Sequence, residues 1–163
     1  NGKIDLEDCV GEIEARSSNG KVEIKGELLT KVKAETSNGS IEIEGTLGAG
    51  QHFAETSNGS IHVELVGAPV RITADTSNGR VRANGRKIKS GKTFTIGPKQ
   101  TDPPTDENIA RLSLNTSNGS ITVEHEGSDE VGEDEGDEEE DDEDNDEKII
   151  KEVTKRILEK IDL

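Results

Sequence analysis

The chain has no tryptophan, no tyrosine and no methionine, and it carries only two phenylalanines, Phe53 and Phe94, in 163 residues. A thick core built on aromatic side chains is therefore excluded. What remains is a thin core of Ile, Val, Leu, Ala and Thr, which a repeat fold tolerates because each unit need only cover its neighbours. The single cysteine, Cys9, rules out an internal disulfide. No apolar run approaches the length needed to cross a bilayer. The missing Met extends to position 1, so the chain is expected to be processed or part of something longer, with any targeting region upstream. The compartment, prokaryotic cell envelope or surface or cytoplasm, stays open.

Positive charge is scarce overall but unevenly so. The net charge is −16. Residues 1–127 hold 15 basic and 18 acidic side chains, whereas 128–163 hold 5 basic and 18 acidic. The acidity belongs to the tail.

What is present is a repeat. Ser-Asn-Gly recurs at 18–20, 37–39, 57–59, 77–79 and 117–119, placing Asn19, Asn38, Asn58, Asn78 and Asn118 at steps of 19, 20, 20 and 40. Asn1-Gly2 fits the same register, so the chain is expected to start inside a repeat with further coils upstream. After each Asn-Gly, apolar residues alternate: Ile4/Leu6, Val22/Ile24, Ile41/Ile43, Ile61/Val63, Val81/Ala83 and Ile121/Val123. Before it runs a second alternation, as in Val32/Ala34/Thr36 and Leu112/Leu114/Thr116. A period of two means strands with one buried face. Each unit then holds two short strands, an Asn-Gly corner and a looser Gly-bearing return. Asn and Gly suit a corner because both tolerate positive φ.

Two arrangements fit. In a meander, Asn-Gly would be a tight hairpin turn between antiparallel strands. In a single-chain β-solenoid of about 20-residue coils, equivalent residues stack in parallel about 4.8 Å apart. The sameness of the triplets favours the solenoid, where stacked Asn side chains bond along a ladder and Thr36, Thr56, Thr76 and Thr116 do likewise. One coil is degenerate: Gly97-Pro98 stands where Asn is due, a strand-like Lys92–Ile96 precedes it, and a loop over 101–108 follows. The spacing still closes on two periods, so an altered coil is expected there. His52 occupies the place of Val32 and Ile72. The favoured reading is a register shift that turns Phe53 inward; the other is a buried ligand or switch histidine.

The Thr-Ser-Asn-Gly-Ser-Ile-x-[Ile/Val]-Glu stretches at 36–44 and 56–64, with 116–124 close behind, resemble the DUF4097 family of adhesin-like domains of bacteria and archaea. The resemblance spans about 1–127 and implies a single-chain β-solenoid; the adhesin label is itself borrowed from the repetitive architecture. Its motif is structural, so it implies no catalytic residues.

Chemistry-bearing patterns are few. None of His52, His62 and His125 sits in a metal-ligand spacing, and no nucleophile elbow, Walker loop or dinucleotide fingerprint occurs. No catalytic residue, cofactor or metal site is assigned, and the chain reads as non-enzymatic. Glu35, Glu55 and Asp75 hold equivalent outward places and would stack, inviting either a cation or ion pairs with Lys33 or Arg71. Arg80, Arg82, Arg86, Lys87, Lys89, Lys92 and Lys99 fall in 80–99 with no acidic residue among them. The favoured reading of this basic patch is a solvated face; the other is a face for a polyanion or anionic surface. The lack of an aromatic stacking platform counts against nucleic acid.

From 129 to 147, 15 of 19 residues are acidic, so 128–146 is expected to be a disordered linker. An EF-hand fails there: with Asp142 in first place, Glu147 stands where Gly is needed and Val153 where Glu is needed. Residues 147–163 read as an amphipathic helix, capped by Asn145 or Asp146, with Ile149, Ile150, Val153, Ile157, Leu158 and Ile161 as one apolar stripe. That stripe is expected to cap the repeat domain, self-associate or dock on another protein. The opposite charges predict that the acidic block masks the basic patch. The domain reading is thus 1–127 repeat, 128–146 linker and 147–163 helix. The leading role is a scaffold or adhesin-like binding module, and the alternative is self-assembly through the domain ends or the helix.

Overall fold

The computed structural model describes residues 2–98, 107–127 and 131–133. The apolar stripe from Ile149 to Ile161, Lys99 and most of the acidic linker lie outside them. The described residues are all-β and form one curled mixed sheet of twelve strands. In chain order these are β1 (Ile4–Asn19), β2 (Val22–Asn38), β3 (Ile41–Leu47), β4 (Gly50–Asn58), β5 (Ile61–Leu65), β6 (Val70–Asn78), β7 (Val81–Ala83), β8 (Arg86–Ile88), β9 (Thr93–Ile96), β10 (Ala110–Asn118), β11 (Ile121–His125) and β12 (Val131–Glu133).

Strands of successive repeats pair in parallel, in register, so a meander does not describe them. Ahead of the Asn-Gly corner, β2, β4, β10 and β6 lie side by side. After it, β2, β3, β5, β11 and β7 do the same. The alternating pattern puts Val22, Ile24, Ile41, Ile43, Ile61, Val63, Ile121 and Val123 inside from one row. Val32, Ala34, Ala54, Ile72, Ala74, Leu112 and Leu114 meet them from the other. Each fully buried Ile, Leu or Val contributes about 1.5–3 kcal/mol relative to exposure. Small Ala and Thr on one row keep this core thin.

The order of layers departs from the order of the chain. The repeat at 110–125 does not follow the one at 70–83; it is wedged between that repeat and the one at 50–65. Among the described residues, the segment expected to form an altered coil around Gly97-Pro98 pairs antiparallel instead of stacking as a parallel layer. Asn84 and Gly85 have φ of 44° and 77°, the two left-handed residues of a tight hairpin turn. They reverse the chain, so β8 runs antiparallel along β7. β9 then runs antiparallel along β6, burying Phe94 opposite Ile72. Ser90 finishes the cover of β6: its Oγ accepts the Thr76 N–H at 2.7 Å, and the Gly91 N–H reaches the Ala74 carbonyl at 2.9 Å. This segment thus occupies the outer edges where another parallel layer would pair. β12 pairs antiparallel with β9, so regular structure reaches past residue 127 into the stretch assigned to the linker.

The corner glycines are needed for a different reason from the one expected. None of Gly20, Gly39, Gly59, Gly79 and Gly119 has positive φ. A Cβ on any of them would run into a backbone carbonyl of the layer beside it, as Gly59 would into Gly39 and Gly119 into Gly59. The glycine is there for close backbone approach. Gly59→Ala is therefore expected to cost about 3 kcal/mol or more, since two backbones must separate. Gly85→Ala, strained in φ but with nothing within 4 Å of the added carbon, is expected to cost about 1–2 kcal/mol. Urea midpoints of the two variants against the parent check the order; equal losses would place the constraint in φ instead.

Candidate functional site

The five corner asparagines form one ladder along the edge of the stack. Asn38 Nδ2 donates to Asn19 Oδ1 at 2.8 Å, Asn58 to Asn38 at 2.9 Å, Asn118 to Asn58 at 2.9 Å and Asn78 to Asn118 at 2.9 Å. The order is 19, 38, 58, 118, 78, which follows the layers and not the chain. The four threonines do not bond one another as expected. Thr36, Thr56, Thr116 and Thr76 each donate from Oγ1 to the corner glycine carbonyl of the adjoining layer, at 3.2, 2.9, 2.9 and 2.9 Å. Four of the five carbonyls that a Cβ would strike are thereby also hydrogen-bond acceptors, and the fifth, that of Gly2, accepts from Ser17 Oγ at 3.3 Å.

The acidic column is broken by the wedge. Glu35 faces Glu55, but Asn115 sits between Glu55 and Asp75. Glu35 is paired with Lys33 at 3.0 Å and Arg16 at 2.9 Å, and Asp75 accepts from Ser90 at 2.7 Å. Glu35 is thus compensated by ion pairs and Asp75 by a hydroxyl donor.

His52 is not turned out by a register shift. It is fully buried, while Phe53 is 41% exposed. The imidazole replaces backbone partners: Val32 N–H donates to Nδ1 at 3.2 Å, which makes Nε2 the protonated nitrogen donating to the Gly48 carbonyl at 2.8 Å. Burial pushes its pKa below the ordinary imidazole range, against the opposing effect of the bond to Gly48. Phe53, turned outward, helps line a shallow groove of about 270 Å³ with Arg71, Arg111 and Gln51, residues from three layers that sequence reading did not bring together.

The basic residues gather at one end. Arg80, Arg82, Arg86, Lys87 and Lys89 are exposed on and around the β7–β8 hairpin, with Arg82 directly opposite Lys87 and Ala83 opposite Arg86. Lys92 is half-buried on the approach to β9. Among the described residues no acidic side chain forms an ion pair with these five exposed cations, in contrast to the other end of the sheet. There, Lys3, Lys21 and Lys25 interleave with Asp5, Glu23, Glu42 and Glu44. Hydrogen bonds from Lys3 and Lys21 hold the Glu23 carboxyl below the usual carboxylate range. The hairpin is anchored by its own turn, where the Asn84 side-chain Oδ1 accepts the His125 N–H at 2.9 Å and the Asn84 N–H donates to the Val123 carbonyl at 2.9 Å. That anchoring gives the cations a fixed platform.

A third cluster was not anticipated. His62 and Glu64 project from β5 and Glu124 from the adjacent β11, and their ligand-type atoms all lie within 4.8 Å of one another. His-x-Glu on a strand was visible as two residues on one face; Glu124, 60 positions away, was not. Comparison with family models, with curated proteins and with solved structures gives no match to this chain.

Because His52 is held neutral, the unfolded chain binds the extra proton below about pH 6.5. The stability owed to the neutral ring is complete above that value and is lost as pH falls below it. His52→Leu, which restores the residue type of Leu112 in the neighbouring layer, is expected to flatten the dependence of the urea midpoint on pH between 5 and 7. Leaving Val32 N–H unpaired costs about 1–3 kcal/mol at neutral pH, offset in part by the apolar gain. Parallel pH profiles for the two chains would refute the assignment.

Proposed function

We propose that the stacked repeats form a β-solenoid of the kind the DUF4097 resemblance implies, working as a non-catalytic, adhesin-like scaffold that presents a rigid basic end to an anionic partner. The observation that carries this reading is the charge asymmetry of the stack. Acids and bases interleave over β1–β3, yet the β7–β8 hairpin gathers five exposed cations without ion-paired acids on a platform tied to β11. Surface charges worth little to folding are well placed to attract an anion. The Asn ladder and the Thr-to-carbonyl bonds supply the stiffness that a presenting scaffold needs. Its opposite charge would make the acidic tail an internal competitor for that face.

Arg82→Glu with Lys87→Glu in the full chain is expected to weaken binding to a sulfated polysaccharide about tenfold, with retention falling steeply as salt is raised. Neutralising the acidic residues of 137–144 to Asn and Gln should strengthen retention at low salt. If neither set of changes moves retention, the basic end is a solvated face and the binding reading fails.

Self-assembly is the second reading, favoured by the other end. Among the described residues β1 pairs only with β2, and Val10, 68% exposed, and Leu28, 45% exposed, sit side by side on these two strands. Exposed apolar residues on such strands suit pairing with a second chain. Light scattering should then give a molar mass above the monomer's that falls to the monomer's in Val10→Lys. A monomeric parent chain rejects this reading.

A further inference from the structure

The outward face of β3, β5 and β11 carries a column of carboxylates in direct register: Glu44 beside Glu64, and Glu64 beside Glu124. Strands lie about 4.8 Å apart, so adjacent like charges in a column repel. Elsewhere in this sheet such repulsion is relieved by lysine, and Glu44 itself is held by Lys25 at 2.9 Å. Among the described residues no lysine or arginine forms an ion pair with Glu64 or Glu124. The group that does reach in is His62, whose Nε2 lies 2.8 Å from Glu64 Oε1.

We propose that His62, Glu64 and Glu124 form a binding site for a single divalent transition-metal ion of the Zn²⁺ class. The donor set is one imidazole nitrogen and two carboxylates, with solvent free to supply a fourth ligand. Imidazole selects Zn²⁺ and its neighbours over Mg²⁺ and Ca²⁺, which prefer all-oxygen shells. Ligand atoms bonded to Zn²⁺ at about 2.0–2.1 Å stand roughly 3.3 Å from each other in a tetrahedron. A group already within 4.8 Å closes to that spacing by side-chain rotation alone, because His62 and the two glutamates are half-exposed or exposed. Of the other histidines, His52 has both ring nitrogens in backbone bonds, and His125 is buried, with Nδ1 bonded to the Glu126 carbonyl and Nε2 left without a partner among the described residues.

The site exists only because of the wedge. In chain order the layer after β5 would be β7, which carries Arg82 and Ala83 and stops before the position of Glu124. Inserting β11 brings Glu124 to Glu64. The metal would therefore join the inserted repeat to the layer below it and stabilise that layer order, beyond any role of the basic end.

Zn²⁺ alone is titrated into the full chain while the ring signals of all three histidines are followed by proton–carbon NMR. The acidic tail contains no histidine, so cations bound there give no ring signal of their own, and the His62 shifts are plotted against free Zn²⁺ set by a metal buffer. The expected result is a saturable, single-site shift of the His62 signals, with His52 and His125 nearly still, and an unfolding midpoint raised by a few degrees under excess Zn²⁺. Glu124→Gln, an exposed and nearly isosteric change, should weaken the affinity by at least about tenfold. Unmoved or non-saturating His62 signals overturn the proposal. So does saturation at the same concentration in Glu124→Gln, which would leave only His62 and Glu64 as ligands and no bridge between layers.

Discussion

Each corner glycine lies with its backbone against a carbonyl of the adjoining layer, so near that the smallest side chain would overlap it. The rest of the fold follows from that contact. It sets the vertical approach of the layers, and the neighbouring threonine bonds the same carbonyl from inside while asparagine bonds its counterpart from outside. With the spacing fixed at every corner, the strands on both sides fall into register. The alternating Ile and Val then stack without needing aromatic bulk.

A stack built this way has two ends, and they are finished differently. One is closed by the chain itself: the Asn84-Gly85 hairpin and β9 turn antiparallel, fill the hydrogen-bonding edges of β6 and β7, and bring Phe94 over the last core residues. The repeat at 110–125 therefore does not add to that end. It occupies an internal slot whose neighbours on either side offer the same Asn, Gly and Thr partners. Interchangeable layers make such an insertion possible, because equivalent repeats present equivalent edges.

Charge follows the same logic. Over β1–β3 the acids Asp5, Glu23 and Glu42 lie in register, and Lys3 and Lys21 flank and pair with them while Lys25 pairs with Glu44, so stacking produces compensation. Beyond β3 it does not. The acids of β5 and β11 adjoin each other, the bases collect on β7 and β8, and the separation arises from which layers are neighbours. A stack whose interior is uniform thus acquires distinct exterior zones.

The sequence by itself determined the repeat, the strand periodicity, the inward Ile and Val and the position of every corner, because a period-two pattern on a 20-residue spacing has few packings. It also contained His-x-Glu and the basic run as local features. Several outcomes were decided only in three dimensions. The ladder order 19, 38, 58, 118, 78 depends on where the 110–125 repeat was admitted. Asn115 between Glu55 and Asp75, and Glu124 beside Glu64, follow from the same choice. His52 keeps its inward register because two backbone groups satisfy the ring, a balance invisible in the alternation of residues. Local pattern encodes which face of a strand is buried; which strands become neighbours is a competition among near-identical edges, and it was settled by the two antiparallel strands that closed one end.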